Sequence, residues 1–207
     1  MYWYNLFNMA EPQDIPKPSQ EQEAILQRAP LLKTFINQPT DISGDWLDKL
    51  ELQGESLEKE IATKLGDNWH TTTLAPITLM VLEQDVFDTK LMKIEKKDIP
   101  DENLVHRVVT FLFLMGYEVG SRKDAFSFMV PVIGKLSQSG LFHYPVPEDE
   151  AKSYPQRVFN TVWGIVQTGA FIRFYNDQKD LPKGTSPRTD PFKDFIQGLE
   201  GIDKLPP

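Results

Sequence analysis

Between residues 104 and 140 the chain reads LVHRVVTFLFLMGYEVGSRKDAFSFMVPVIGKLSQSG, and the other apolar segments are organised around this stretch. Residues 108–117 carry no charge and are apolar on every side of a helix. A helix of that kind has to be enclosed, by other helices or by lipid. A short turn is expected over residues 116–121. The second arm recovers an amphipathic stripe, with Phe126, Met129, Val130, Ile133 and Leu136 near helical spacing. Ser121 and Asp124 have the spacing of a capping box, with Asp where Glu or Gln is usual. Gly140 stands where a helix would stop. The pattern therefore predicts a helical hairpin whose first arm needs cover from the rest of the chain.

The remaining segments supply candidates for that cover. Ser19 opens a first helix, with Gln22 at capping-box spacing and Glu21 and Glu23 at its positive end. Pro30 is expected to break or kink it, and Leu31, Leu32, Phe35 and Ile36 carry the apolar face onward. Residues 45–52 predict a short helix burying Trp46, Leu47 and Leu50. Residues 55–65 predict a separate one, with Leu57, Ile61 and Leu65 on one face and Gly66 as its stop. Farther on, Ile77, Met80, Val81, Phe87, Leu91 and Ile94 fit one helical face. Residues 77–82 alone also pass as a buried strand, and the length of the pattern decides for helix.

After the hairpin, a helix over residues 154–175 starts with Pro155 in its first turn. It presents Val158 or Phe159, Val162, Val166, Ala170 and Phe174, with Trp163 beside them. Residues 176–189, rich in Gly, Pro, Ser and charge, read as a mobile linker. Asp190-Pro191 then opens a last short helix with Phe192, Phe195, Ile196 and Leu199 on one face. The domain organisation that follows is an extended arm over 1–18, a helical domain over 19–175, a linker over 176–189 and a C-terminal helix and tail over 190–207. The predicted fold is all-α: a single compact bundle-like domain of about seven or eight helices with irregular connections.

Composition narrows the class. With 40% hydrophobic and 25% charged residues the chain is that of a soluble globular protein rather than a disordered one. The net charge of -8 is concentrated in residues 11–150, whereas 151–207 carry a small basic excess. Such a surface repels phosphate backbones, so nucleic acid is not an expected partner. The uncharged run over residues 158–172 falls short of the roughly 20 apolar residues that span a bilayer, so no membrane is expected either. The absence of cysteine excludes disulfides, thiolate zinc sites, iron–sulfur clusters and thiol catalysis together, and it suits a reducing cytoplasm. The first ten residues lack the basic start and apolar run of a signal peptide.

Catalytic signatures are missing. There is no phosphate-binding loop, dinucleotide fingerprint, HExxH zinc motif, GxSxG nucleophile elbow or EF-hand loop. Among the three histidines, His106 is the best candidate general base. At 100° per residue Thr110 and Tyr117 lie near its face, with Glu118 and Arg122 by the turn, so these five could polarise a small ligand in a helical pocket. The plainer expectation is that His106 and Arg107 mark the wet start of a buried helix. His70 and His143 are expected in loops, without a carboxylate at matching spacing. Glu83, Asp85 and Asp88 do not share a helical face and are expected to be solvated rather than to bind metal. Lys90, Lys93, Lys96 and Lys97 read as an exposed face, and the Gly116-x-x-x-Gly120 spacing carries no weight beside Glu118 in a predicted turn.

What remains is apolar surface at both ends of the chain. Tyr2, Trp3, Tyr4 and Phe7, together with Phe192 and Phe195, exceed what a compact core needs and are the candidate interaction residues. Met9 is an alternative first residue, which would make the aromatic cluster adventitious. The expected function is that of a non-enzymatic cytosolic helical protein working through a protein partner or self-association, in a regulatory, adaptor or assembly role. The alternative is a small-molecule-binding helical domain, or an enzyme, with its pocket near His106. No cofactor and no metal is expected.

Overall fold

The structure, a computed structural model, describes residues 18–37, 44–81, 101–138 and 154–179. These residues form an all-α, bundle-like domain and contain no strand. Helix α1 covers Gln20–Arg28 and α2 covers Pro30–Asn37. Helix α3 is Gly44–Leu65, and α4 is Ala75–Met80, entered through one π-helical turn at His70–Leu74. Helix α5 is Glu102–Val119, α6 is Arg122–Phe126, α7 is Met129–Gln138 and α8 is Tyr154–Lys179.

The hydrophobic pattern explains why α5 is central. Every residue from Val108 to Tyr117 is buried, and so are Val105 and Val119. Helices α8, α3, α4 and α2 all pack on it, with α8 making the largest contact. Phe35 of α2 meets Phe111 with ring centroids 4.7 Å apart, and Trp69, ahead of the π turn, meets Phe113 at 5.7 Å. The closest approach is backbone to backbone. A Cβ on Gly116 would lie 1.9 Å from the Val166 carbonyl oxygen, and one on Gly169 would lie 2.1 Å from that of Phe113. The Gly116-x-x-x-Gly120 spacing thus matters after all. Gly116 is the contact with α8, and Gly120 ends α5 with φ 68°, a backbone conformation that glycine adopts without a Cβ penalty.

The helix termini follow the local chemistry. The Ser19 hydroxyl accepts from the Gln22 amide, and the Gln22 side chain accepts from the Ser19 amide, a complete capping box. Pro30 separates α1 from α2. At α6 the Ser121 hydroxyl accepts from the Asp124 amide as the spacing predicts. The shorter Asp124 carboxylate pairs with Arg28 of α1.

Several elements differ from the pattern-based expectation. Residues 45–52 and 55–65 form one helix, because α3 runs unbroken through Gly54 and uses its missing Cβ to approach the end of the Leu114 side chain. The turn of the hairpin is confined to Gly120 and Ser121, with α5 helical through residues 116–119. The second arm is not one stripe. Non-helical residues Ser127 and Phe128 divide it and shift its phase, so Phe128, Met129, Val132, Ile133 and Leu136 face the core. Phe126 and Val130 stay 41% and 40% exposed. Helix α8 continues four residues past 175, and Asn176, placed by pattern at the start of the linker, is buried in it. The segment from residue 77 is helix as far as Val81, so the strand alternative for residues 77–82 is excluded over that stretch. The arm 1–17, the rest of the linker, the C-terminal helix with Phe192 and Phe195, Gly140, His143, Glu83, Asp85, Asp88 and the lysine run at 90–97 lie outside the described residues.

The glycine contacts generate a paired prediction. Gly116→Ala and Gly169→Ala force α5 and α8 apart and should each cost about 1–3 kcal/mol or more. Gly134→Ala, where nothing lies within 4 Å of the added methyl, should stabilise α7 by about 0.5–1 kcal/mol. Thermal and chemical unfolding followed by circular dichroism distinguishes the two signs.

Candidate functional site

Four carboxylates line one face of α3. Asp48, Glu51, Glu55 and Glu58 recur at intervals of three and four residues, the spacing that aligns side chains along a helix. Opposite them stand His70 from the π turn and His106, Arg107 and Thr110 from the first turns of α5. Together with Leu52 these residues bound an open groove of about 410 Å³. Leu52 sits among the acids and is 70% exposed.

The two histidines are brought together by different means. His70 belongs to the π turn, in which the Ala75 amide bonds to the His70 carbonyl. That wide turn seats the imidazole 4.0 Å from the Trp69 ring, centroid to centroid, with Nε2 3.4 Å from the Glu58 carboxylate. His106 Nδ1 lies 2.9 Å from the Thr78 hydroxyl, and that hydroxyl donates to the Leu74 carbonyl at 2.9 Å. The imidazoles of His70 and His106 are 6.0 Å apart. Burial holds the His106 pKa below its ordinary value, the neighbouring His70 adds to this, and Glu102 opposes it.

Arg107 is the cation of the described groove lining, apart from whatever charge the histidines carry. It bonds both Glu51 oxygens and pairs with Asp48. The hydrogen bond to Glu51 is the main cause that raises its pKa further. Glu55 has a 3.4 Å contact to Lys59, one turn along α3, but both side chains are more than half exposed and such a pair contributes little. The groove is therefore negative. Among the described residues, no group of three or more His, Asp and Glu side chains could hold a metal ion.

The five residues grouped by sequence around His106 do not share one site. His106 and Thr110 line the groove, with Thr110 bonding back to the His106 carbonyl at 2.8 Å. Tyr117 is turned to another side of α5, where its hydroxyl donates to Glu60 at 2.9 Å and Arg173 covers its ring 5.2 Å from the centroid. Burial, then the bond to Glu60, pushes its pKa up to about 12. Glu118 accepts from the backbone amides of Leu31 and Leu32 at 3.0 and 3.2 Å, capping α2 from α5. Burial raises its pKa, and those two amides work in the opposite direction. Arg122 opens α6 and is half-buried.

The acidic face of α3 was not legible while residues 45–52 and 55–65 counted as separate helices, since a break at Gly54 removes the alignment of Asp48 and Glu51 with Glu55 and Glu58. The signal was present in their spacing. His70 falls in a predicted loop because a π turn has no sequence periodicity of its own. Comparison with known protein families, curated proteins and solved structures finds no match.

Two expectations follow from these polar groups. Glu118→Ala leaves two amides of α2 without their acceptor and should lower the unfolding free energy by about 1–3 kcal/mol, measured by urea denaturation. For His106 the folded state binds a proton less readily than the unfolded chain, whose value is 6.5. Its contribution to stability is complete above 6.5 and is lost as pH falls from there through the folded value. The drop in thermal midpoint between about pH 7.5 and 5.5 should accordingly be smaller in His106→Asn than in the native protein.

Proposed function

We propose that this protein works by holding a protein partner rather than by catalysis, and that the groove between α3, the π turn and α5 receives it. The observation that carries this is the lining itself: aligned carboxylates on α3, an exposed Leu52 among them and, among the described lining residues, one arginine to answer them. The surface that complements it is a basic amphipathic segment, whose lysines or arginines meet Glu55 and Glu58 while an apolar side chain covers Leu52. Electrostatic attraction would set the association rate and the register, and the apolar contact would add affinity. The groove is open, so water is not excluded as a buried reaction centre requires. A cysteine-free, acidic chain suits the cytoplasm, and its charge disfavours nucleic acid as the partner. No helix among the described residues is long and apolar enough to cross a membrane.

The His70–His106 pair favours a second occupant, a small cationic molecule held between the imidazoles and Glu58. Its smaller footprint distinguishes it, because it would not need Leu52.

The test uses fluorescein-labelled helical peptides of lysine and leucine, read by anisotropy against the full chain at low and moderate salt. Glu55→Lys and Glu58→Lys should each weaken binding by about tenfold, on the order of 1.4 kcal/mol. Leu52→Ser, which leaves the charge unchanged, should weaken it as well, and a peptide with scrambled leucines should bind less. Binding that ignores all three substitutions would place the site elsewhere. Sensitivity to the glutamates but not to Leu52 would leave only unspecific attraction or the small cation.

A further inference from the structure

The Thr78 hydroxyl carries one hydrogen, and it is given to the Leu74 carbonyl at 2.9 Å. The 2.9 Å contact between that hydroxyl and His106 Nδ1 must then use a hydrogen on Nδ1. Neutral His106 is thereby held in one tautomer, with the lone pair on Nε2. The anchor is firm. Thr78 is buried on α4, and the helix carrying His106 is the enclosed centre of the bundle. Adding a proton at Nε2 leaves the Nδ1 contact to Thr78 in place, so the local structure need not change when the ring becomes charged. What changes is the groove. A hydrogen-bond acceptor becomes a donor, and one positive charge appears among the acids.

We propose that His106 offers Nε2 as the acceptor for a cationic N–H group of the partner, with Thr78 as its positioning residue, and that protonation of Nε2 on acidification releases the partner. This rests on the groove being the docking site. The charged and titratable groups around His106 define the direction of the effect. From α3 these are Asp48, Glu51, Glu55 and Glu58; from the π turn, His70; from α5 itself, Glu102 and Arg107. Asp48 and Glu51 are engaged by Arg107. Glu55 and Glu58 are left as the carboxylates that a partner's cation meets. An imidazolium at position 106 repels that cation directly, while the acceptor it would have used is gone. Both effects weaken binding on the same side of the titration. Release therefore belongs to mildly acidic pH and retention to neutral pH.

The test measures affinity of the lysine–leucine peptide for the full chain at about pH 7.5 and 5.5, at constant ionic strength. The native protein should lose affinity severalfold on acidification, with about tenfold as the ceiling for one proton binding to a group held below its ordinary value. His106→Asn places an amide N–H where Nδ1–H was, so it can keep the bond to Thr78, but it has no proton to gain at position 106; its affinity should fall less between the two pH values than that of the native protein, with His70 common to both. A native affinity that does not fall, or a fall of equal size in His106→Asn, overturns the proposal while the groove reading stands. Failure of the peptide to bind the native protein at neutral pH removes the groove reading, and this inference with it. A measurement on the unsubstituted chain guards against a variant that does not fold. Long-range proton–nitrogen correlation at neutral pH should find the His106 hydrogen on Nδ1, and the opposite tautomer overturns the proposal whatever the peptide does.

Discussion

A helix with no polar face has no stable place at an aqueous surface, and α5 is such a helix over its middle turns. From Val108 to Tyr117 each side chain is buried, which is possible only because helices from both halves of the chain surround it. The enclosure has a steric condition. Helix α8 comes so close at Gly116 and Gly169 that backbone carbonyls occupy the space where a Cβ would stand. The apolar character of α5 thus demands cover, and two glycines make the tightest part of that cover possible. Burial of each large side chain in the shell contributes roughly 1.5–3 kcal/mol, so the central helix concentrates much of the driving force for the fold.

That enclosure dictates where polar chemistry can be. A charged side chain in the middle of α5 would be stranded, so its charged groups lie toward the ends, and the buried Thr110 hydroxyl bonds back to the His106 carbonyl. At the first turns, Arg107 meets Asp48 and Glu51 of α3, and His106 meets Thr78 of α4. At the last, Glu118 caps α2 and Tyr117 reaches Glu60. The same ends tie the outer helices to the centre. Arg28 with Asp124, and the Gln22 side chain with the Ser127 carbonyl at 2.9 Å, join α1 to α6 and the turn after it. Polar contacts thus fix register among helices whose association is driven by apolar burial.

The fold class was legible because apolar periodicity over long segments reports helix faces directly, as at residues 104–119 and 154–175. Caps were legible too, at Ser19 and Ser121, since their hydrogen bonds are local in sequence. What was hidden depended on contacts distant in sequence. Gly54 looks like a break until Leu114 is known to lie against it. Phe126 and Val130 look like core residues until the turn at Ser127 and Phe128 changes the phase. The candidate site failed to emerge for the same reason. Its acids lie on a helix that seemed to be two, and His70 acquires Glu58 and His106 as neighbours only through the π turn.

The two polar clusters on α5 differ in a way that bears on function. Around Tyr117 the charges are matched: Glu60 receives the phenol and Arg173, Arg173 also holds Asp177, and Lys64 lies 3.6 Å from Glu60. The charges of such a cluster offset one another, and its contacts tie α3 and α8 to α5. Around His106 the charges are not matched. Arg107 accounts for Asp48 and Glu51, and what faces Glu55 and Glu58 is an exposed lysine contact and an imidazole. Excess negative charge around an open groove, with a leucine left in water among the acids, is a cost that the described residues do not offset among themselves. On the proposed reading the groove, rather than the charge-balanced cluster around Tyr117, is where an external cation gains most.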